Sequence, residues 1–166
     1  FMFIAGLTVD GAFTMAITIT VAQTSSIGTA MVAGGVLLGI RRGSEGLLSP
    51  LGGIIGDKYG PLRLLFLSTL VMAIGFALLA LEYVYLGGLL AVIGRSFIAA
   101  LWPAEIAHRT TQEKTLRRIA IAQTWRDIGA STGPLIAGSL LEVVAIGHIY
   151  WTMAALVIVG LFLQRR

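Results

Sequence analysis

Long apolar runs alternate along this chain with short clusters of charge. Phe1–Ala22 is apolar or small apart from Asp10 and a few Thr and Gln, and Pro61–Leu81, Val84–Ala104, Ile119–Leu141 and Ile146–Leu163 behave alike. About 20 such residues are what a helix needs to cross the hydrocarbon core of a bilayer. One region breaks the pattern. Gly28–Ile40 and Leu47–Gly56 are each too short to span, and between them lies Arg41-Arg42-Gly43-Ser44-Glu45-Gly46. Joined through those charges, Gly28–Gly56 makes one helix of about 43 Å, enough to cross with tilt. A re-entrant pair of half-helices is the alternative, because irregular backbone survives at membrane depth when protein buries it. The joined reading gives six helices, at about 1–22, 28–56, 61–82, 84–107, 117–141 and 146–164.

Composition agrees with an all-α membrane protein. The chain is 57% hydrophobic and 12% charged, more apolar surface than a soluble domain of 166 residues needs. It has no cysteine, so neither a disulfide framework nor a Cys-ligated metal is available. No cofactor or metal is implied. The first apolar run lacks a basic leader and is expected to be a retained helix rather than a signal peptide. Together with the Phe1 start, this suits a fragment of a longer chain.

The net charge of +4 does not point to nucleic acid, since no basic face with interleaved aromatics lies outside the apolar runs. It fits the excess of Lys and Arg on cytoplasmic loops. Lys58, Arg63, Arg109, Lys114, Arg117, Arg118, Arg165 and Arg166 fall on one set of loops and ends; the other set holds Thr24, Ser25, Ser26, Glu82, Glu142 and His148. The loops at 57–63 and 105–118 and the C-terminus are therefore expected to be cytoplasmic.

The remaining charges fall inside the apolar helices: Asp10, Arg41, Arg42, Glu45, Arg95, Arg126 and Asp127, each near the middle of its span. Charge at the bilayer centre costs at least about 2.5–3.5 kcal/mol, so such groups must face each other or water. The simplest arrangement puts the first, second, fourth and fifth helices around a polar cavity, with the uncharged third and sixth outside. Arg41 or Arg42 can meet Glu45 on one helix face, and Asp10 can pair with Arg41 or Arg95 across helices. Closed ion pairs that merely fix packing are the plain alternative. Four positive charges against three negative argue against complete closure and hint at an organic anion, which a planar guanidinium binds bidentately.

The two halves echo one another. Arg42 stands eight residues before Pro50 and Arg126 eight before Pro134, an offset of 84. A three-helix repeat is necessarily inverted in the membrane, giving repeats of about 1–83 and 84–166 in a single bundle. Gly35, Gly39 and Gly43 recur every fourth residue, as do Gly129 and Gly133, ladders that let helices approach closely. Pro50, Pro103 and Pro134 are places where helices can kink.

The segment Gly53-Ile-Ile-Gly-Asp57-Lys58-Tyr-Gly60-Pro-Leu-Arg63 resembles motif A of the major facilitator superfamily. Gly53, Asp57, Lys58 and Gly60 match; Pro61 and Leu62 replace a basic pair, with Arg63 the nearest substitute. Gly129-x-x-x-Gly133-Pro134-x-x-Ala137-Gly138 is similar to that family's motif C, with Ala137 in place of a glycine. Arg95 stands where motif B has an arginine, while Ile98 and Ala99 replace the usual Gln and Gly. The Trp125-Arg126-Asp127-Ile-Gly129 run looks like the eleventh helix of prokaryotic members, which favours the C-terminal half of a twelve-helix carrier in an inner membrane.

The resemblance implies a secondary transporter that moves a small solute by alternating access, with the missing six-helix half as partner and protons as a candidate coupling ion. It implies a midplane site on the first and fourth helices, hence Asp10 and Arg95, and a cytoplasmic gate at Asp57. Burial opposes ionisation of a carboxylate and a nearby arginine favours it, so Asp10 and Glu45 are candidate proton carriers. A channel-like bundle is one rival. A membrane enzyme is another, but no HExxH or GxSxG occurs and His108 and His148 fall on opposite sides of the membrane.

Overall fold

The computed structural model describes residues 1–24 and 27–164, with side chains described except at 21–24, 27–34, 36–38, 41, 42, 112 and 164. Ser25, Ser26, Arg165 and Arg166, assigned above to loops and ends, lie outside the described residues. All described secondary structure is helical. The chain begins with α1 (Met2–Ala5), a π-helical stretch (Gly6–Ala12) and α2 (Phe13–Thr24), which run on as one rod. Then follow α3 (Ile27–Tyr59), α4 (Pro61–Ala80), α5 (Val84–Arg109), α6 (Gln112–Leu141) and α7 (Ile146–Gln164).

The charged stretch at 41–45 lies within α3, a single helix of 33 residues that runs through Pro50. Two half-helices are not formed. Among the described residues four helices are long and apolar enough to cross a membrane: Met2–Thr20, Pro61–Ala80, Val84–Arg109 and Ile146–Leu163. α3 and α6 are the longest of all but carry most of the interior charge.

Helix ends depart from expectation at the basic segment. The loop expected at 105–118 is mostly helical, because α5 continues to Arg109 and α6 begins at Gln112. Glu105 and Arg109 form an i,i+4 ion pair that holds the last turn of α5. His108 and Arg109 there, and Glu113 in the first turn of α6, also suit the two helix dipoles. The loop expected at 57–63 shrinks to Gly60. Its φ of 91° is a glycine conformation, and Pro61 opens α4 at the position where its missing N–H costs nothing. Between α4 and α5 the chain turns through Glu82, at φ 69°, while Tyr83 N–H donates to Leu78 O at 2.9 Å.

Packing follows the small residues. α4 makes its most extensive contact with α5, where a Cβ on Gly75 would lie 2.6 Å from Ala91 N and one on Gly94 2.6 Å from Ser68 O. The first rod meets α6 through Gly6, Gly11, Gly129 and Gly133. At each, an added methyl would collide with the backbone of the opposite helix. The other ladder differs: among the described residues nothing lies within 4 Å of where a Cβ would stand at Gly35, Gly39 or Gly43. A buried apolar cluster runs through Phe13, Phe76, Met72, Tyr150 and Val157. Leu67 and Ile74 of α4 and Trp151, Val159 and Phe162 of α7 are exposed, giving these two helices the apolar outer faces that lipid requires.

Hydroxyl groups are absorbed locally. Thr8, Ser68, Thr69 and Ser96 each donate to the carbonyl four residues earlier, at 2.7–2.9 Å. In lipid such a bond leaves no polar group without a partner, although in water it competes with the helix. One hydroxyl reaches further: Thr20 meets Tyr150 at 3.0 Å and ties the first rod to α7.

Candidate functional site

Asp10 lies in the π-helical stretch, whose wider turns are rare and frequent at functional sites. The glycine contacts bring the main chain of α6 against this stretch, with Gly6 directly under the carbonyl of Arg126. That approach decides the geometry. Arg126 Nε donates to Asp10 Oδ2 at 2.6 Å, and from α5 Arg95 Nε donates to Asp10 Oδ1 at 2.8 Å. Arg95 Nη2 stands 2.7 Å from the same oxygen and 3.3 Å from Glu45 Oε1 on α3, the latter an ion pair without hydrogen-bond alignment. The side chains of Arg95 and Asp10 are 5% and 7% exposed.

The network continues along α6. Arg126 Nη1 reaches Gln123 Oε1 at 3.5 Å, and Gln123 Nε2 donates to Asp127 at 3.0 Å. Asp127 itself is exposed and accepts the hydrogen bond from Gln123. The four central groups, Glu45, Arg95, Asp10 and Arg126, balance in charge. Four separate rods supply them. Of the partners expected for Asp10, Arg95 is present and the side chain of Arg41 lies outside the described residues, as does that of Arg42, expected with Arg41 as a partner of Glu45.

Among the described residues little space is left between these charges. The cavity there holds about 10 Å³, bounded by Val9, Met72, Ile98 and Trp102 as well as the charges. That is room for one water at most. The groups neutralise one another at contact distance, so no water-filled space is needed to support them. A larger cavity of about 570 Å³ adjoins it and shares Met2 and Trp102. Phe3, Glu105, Arg118 and Trp125 line it, and Phe3 meets Trp125 edge to face at 6.3 Å.

Arg126 as partner of Asp10, Gln123 as bridge and the buried Glu105 were not anticipated from sequence. Gln123 could have been found, since it stands three and four residues before Arg126 and Asp127. The motif A-like residues form a separate group. Asp57, Lys58 and Arg63 are exposed at the α3–α4 junction, and nothing lies within 4 Å of a Cβ on Gly53. α4 starts from Gly60 and Pro61 without a side-chain cap. Gly129 and Gly133 pack on the first rod, Pro134 Cδ lies 2.9 Å from a Cβ on Gly11, and Gly138 faces Met15. Among the described residues no group of three or more His, Cys, Asp or Glu could hold a metal.

Apolar outer helices around a buried network of paired charges define an integral membrane protein of the polytopic kind. The family model for the Major Facilitator Superfamily matches residues 1–166. The chain belongs to that superfamily, whose members are membrane transporters rather than enzymes. Comparison with curated proteins and with solved structures found no match to either.

Proposed function

We propose that this chain is a six-helix half of a twelve-helix secondary transporter, built as two inverted three-helix repeats and working by alternating access. All six rods cross the bilayer, with the α3–α4 and α5–α6 junctions on the cytoplasmic side. The carrying observation is the convergence of Asp10, Glu45, Arg95 and Arg126 from four rods onto one buried network. Charge buried within membrane helices is costly enough that transport is its ordinary use. Asp10 carries the coupling proton, Arg95 and Arg126 respond to its charge, and Asp57 with Lys58 belongs to a gate at the cytoplasmic end of α3. The near absence of free space in the network also fits a static clamp, and the same experiment separates the two.

The test is uptake by the full-length protein in proteoliposomes, with a metabolite mixture outside, an imposed pH gradient and mass spectrometry as readout. Gradient-driven accumulation of a solute, lost in Asp10→Asn, is expected. Unchanged gradient-driven uptake in that variant would remove Asp10 from the mechanism, and absence of any accumulation would leave the clamp.

A further inference from the structure

The geometry points to a latent anion site in the same network: Arg95 and Arg126 form a two-guanidinium clamp for a carboxylate or phosphate group, and Asp10 is its resident occupant, displaced when a small organic anion binds. This rests on the transport reading above and adds the class of solute.

Three observations carry it. First, Asp10 presents one oxygen to each arginine: Oδ1 to Arg95 at 2.8 Å and Oδ2 to Arg126 at 2.6 Å. Two guanidinium groups reaching one carboxylate from opposite oxygens is the contact an anion with two oxygens on one centre would receive. Second, no anion fits while Asp10 is in place, because the space around it holds about 10 Å³. Occupation by Asp10 and by a solute are therefore alternatives. Third, the cavity of about 570 Å³ shares Met2 and Trp102 with the clamp, so an organic body has somewhere to lie.

Charge conservation supplies the coupling. With Asp10 ionised the clamp holds one negative charge. A proton taken from water onto Asp10 removes that charge, the carboxyl group turns away, and a monovalent anion restores it. The buried site keeps the same net charge before and after, which avoids the cost of an uncompensated ion in a low-dielectric interior. One proton accompanies one anion, and the exchange is electroneutral.

Arg95 comes from α5, Glu45 from α3 through Arg95, and Arg126 from α6 with Gln123 and Asp127 behind it. α4 contributes Met72, and on α7 the hydroxyl of Tyr150 is engaged at Thr20. Glu45 is thus the rival titrating group.

The experiment follows binding of benzoate and of inorganic phosphate to the full-length protein in detergent, by tryptophan fluorescence and thermal unfolding, with neutral benzamide as control. In the wild type, half-saturation by benzoate, which stays singly charged throughout, is expected to fall about tenfold per pH unit from pH 8 to pH 6, the signature of one proton per anion; phosphate, which itself takes up a proton in this range, is compared at pH 8 only. Asp10→Asn is expected to bind at least tenfold more tightly than wild type at pH 8, without pH dependence. If that variant does not fold, the wild-type pH series decides alone. Benzamide binding as well as benzoate, a flat wild-type series, or pH dependence that survives in Asp10→Asn and disappears in Glu45→Gln would each overturn the inference. Accumulation of neutral solutes without anion binding would sink this inference and leave the transport reading. Proton-linked anion binding without any flux would do the reverse.

Discussion

Gly6 lies so close under the carbonyl oxygen of Arg126 that a single methyl group there would overlap it. The first rod and α6 touch main chain to main chain at this point, and the side chain of the same arginine reaches past the contact to Asp10. Gly6→Ala is therefore expected to push the rods apart and stretch the ion pair, at a cost of about 1–3 kcal/mol or more. Gly88→Ala on α5, with nothing within 4 Å, serves as control and should raise the melting temperature slightly, because alanine favours a helix over glycine by about 0.4–1 kcal/mol. Thermal unfolding in detergent measures both, and equal behaviour of the two variants would contradict the packing.

Arg126→Gln removes one of the two cations that meet the buried Asp10 carboxylate among the described residues. Breaking such a pair from one side costs about 3 kcal/mol, because the remaining charge keeps its desolvation penalty. Asp10→Asn combined with Arg126→Gln should be less destabilised than the sum of the single changes, with a coupling of about 0.5–3 kcal/mol. Additive losses would mean that the two side chains do not interact in the folded protein.

Tyr150 offers a separate measure. Its side chain is buried and its hydroxyl meets Thr20, which also donates to Ala16 O at 3.0 Å. Tyr150→Phe keeps the ring and loses one hydrogen bond, for about 1 kcal/mol. Tyr150→Ala empties the core between the first rod and α7, for about 3–5 kcal/mol. A phenylalanine variant as unstable as the alanine one would show that the hydroxyl, not the ring, holds this end of the bundle.

At Glu82 a side chain occupies a backbone conformation usually left to glycine. Glu82→Gly is expected to raise stability by about 0.5–1 kcal/mol, read as a higher melting temperature.

Asp57 is exposed at the end of α3, and α4 starts after it without a side-chain cap. Asp57→Asn should therefore change stability by less than about 0.5 kcal/mol. If the residue belongs to a gate, solute uptake falls all the same. Loss of stability in parallel with uptake would assign it a packing role instead.

The helices were legible because crossing lipid demands length, and length can be read from a sequence. The same demand made α3 legible as one helix, since neither Gly28–Ile40 nor Leu47–Gly56 spans alone. Less was visible where charge is ambiguous: Lys114, Arg117 and Arg118 read as loop but sit on the exposed first turns of α6. Small-residue ladders did not announce which of them have partners; Gly129 and Gly133 are covered and Gly39 and Gly43 are open. The list of interior charges was readable, whereas the pairing of Asp10 with Arg126 was not. It depends on the rotation of two helices about their axes, which the glycine contacts fix and no local pattern encodes.

The sequence separation of that pair bears on how the protein is made. Asp10 precedes Arg126 by 116 residues, an interval of about 6–23 s at roughly 5–20 residues translated per second. During that time the first helix carries a carboxylate whose second counter-ion has not left the ribosome. Until α6 arrives, that helix rests in lipid at least cost with its carboxylate protonated or still in reach of water.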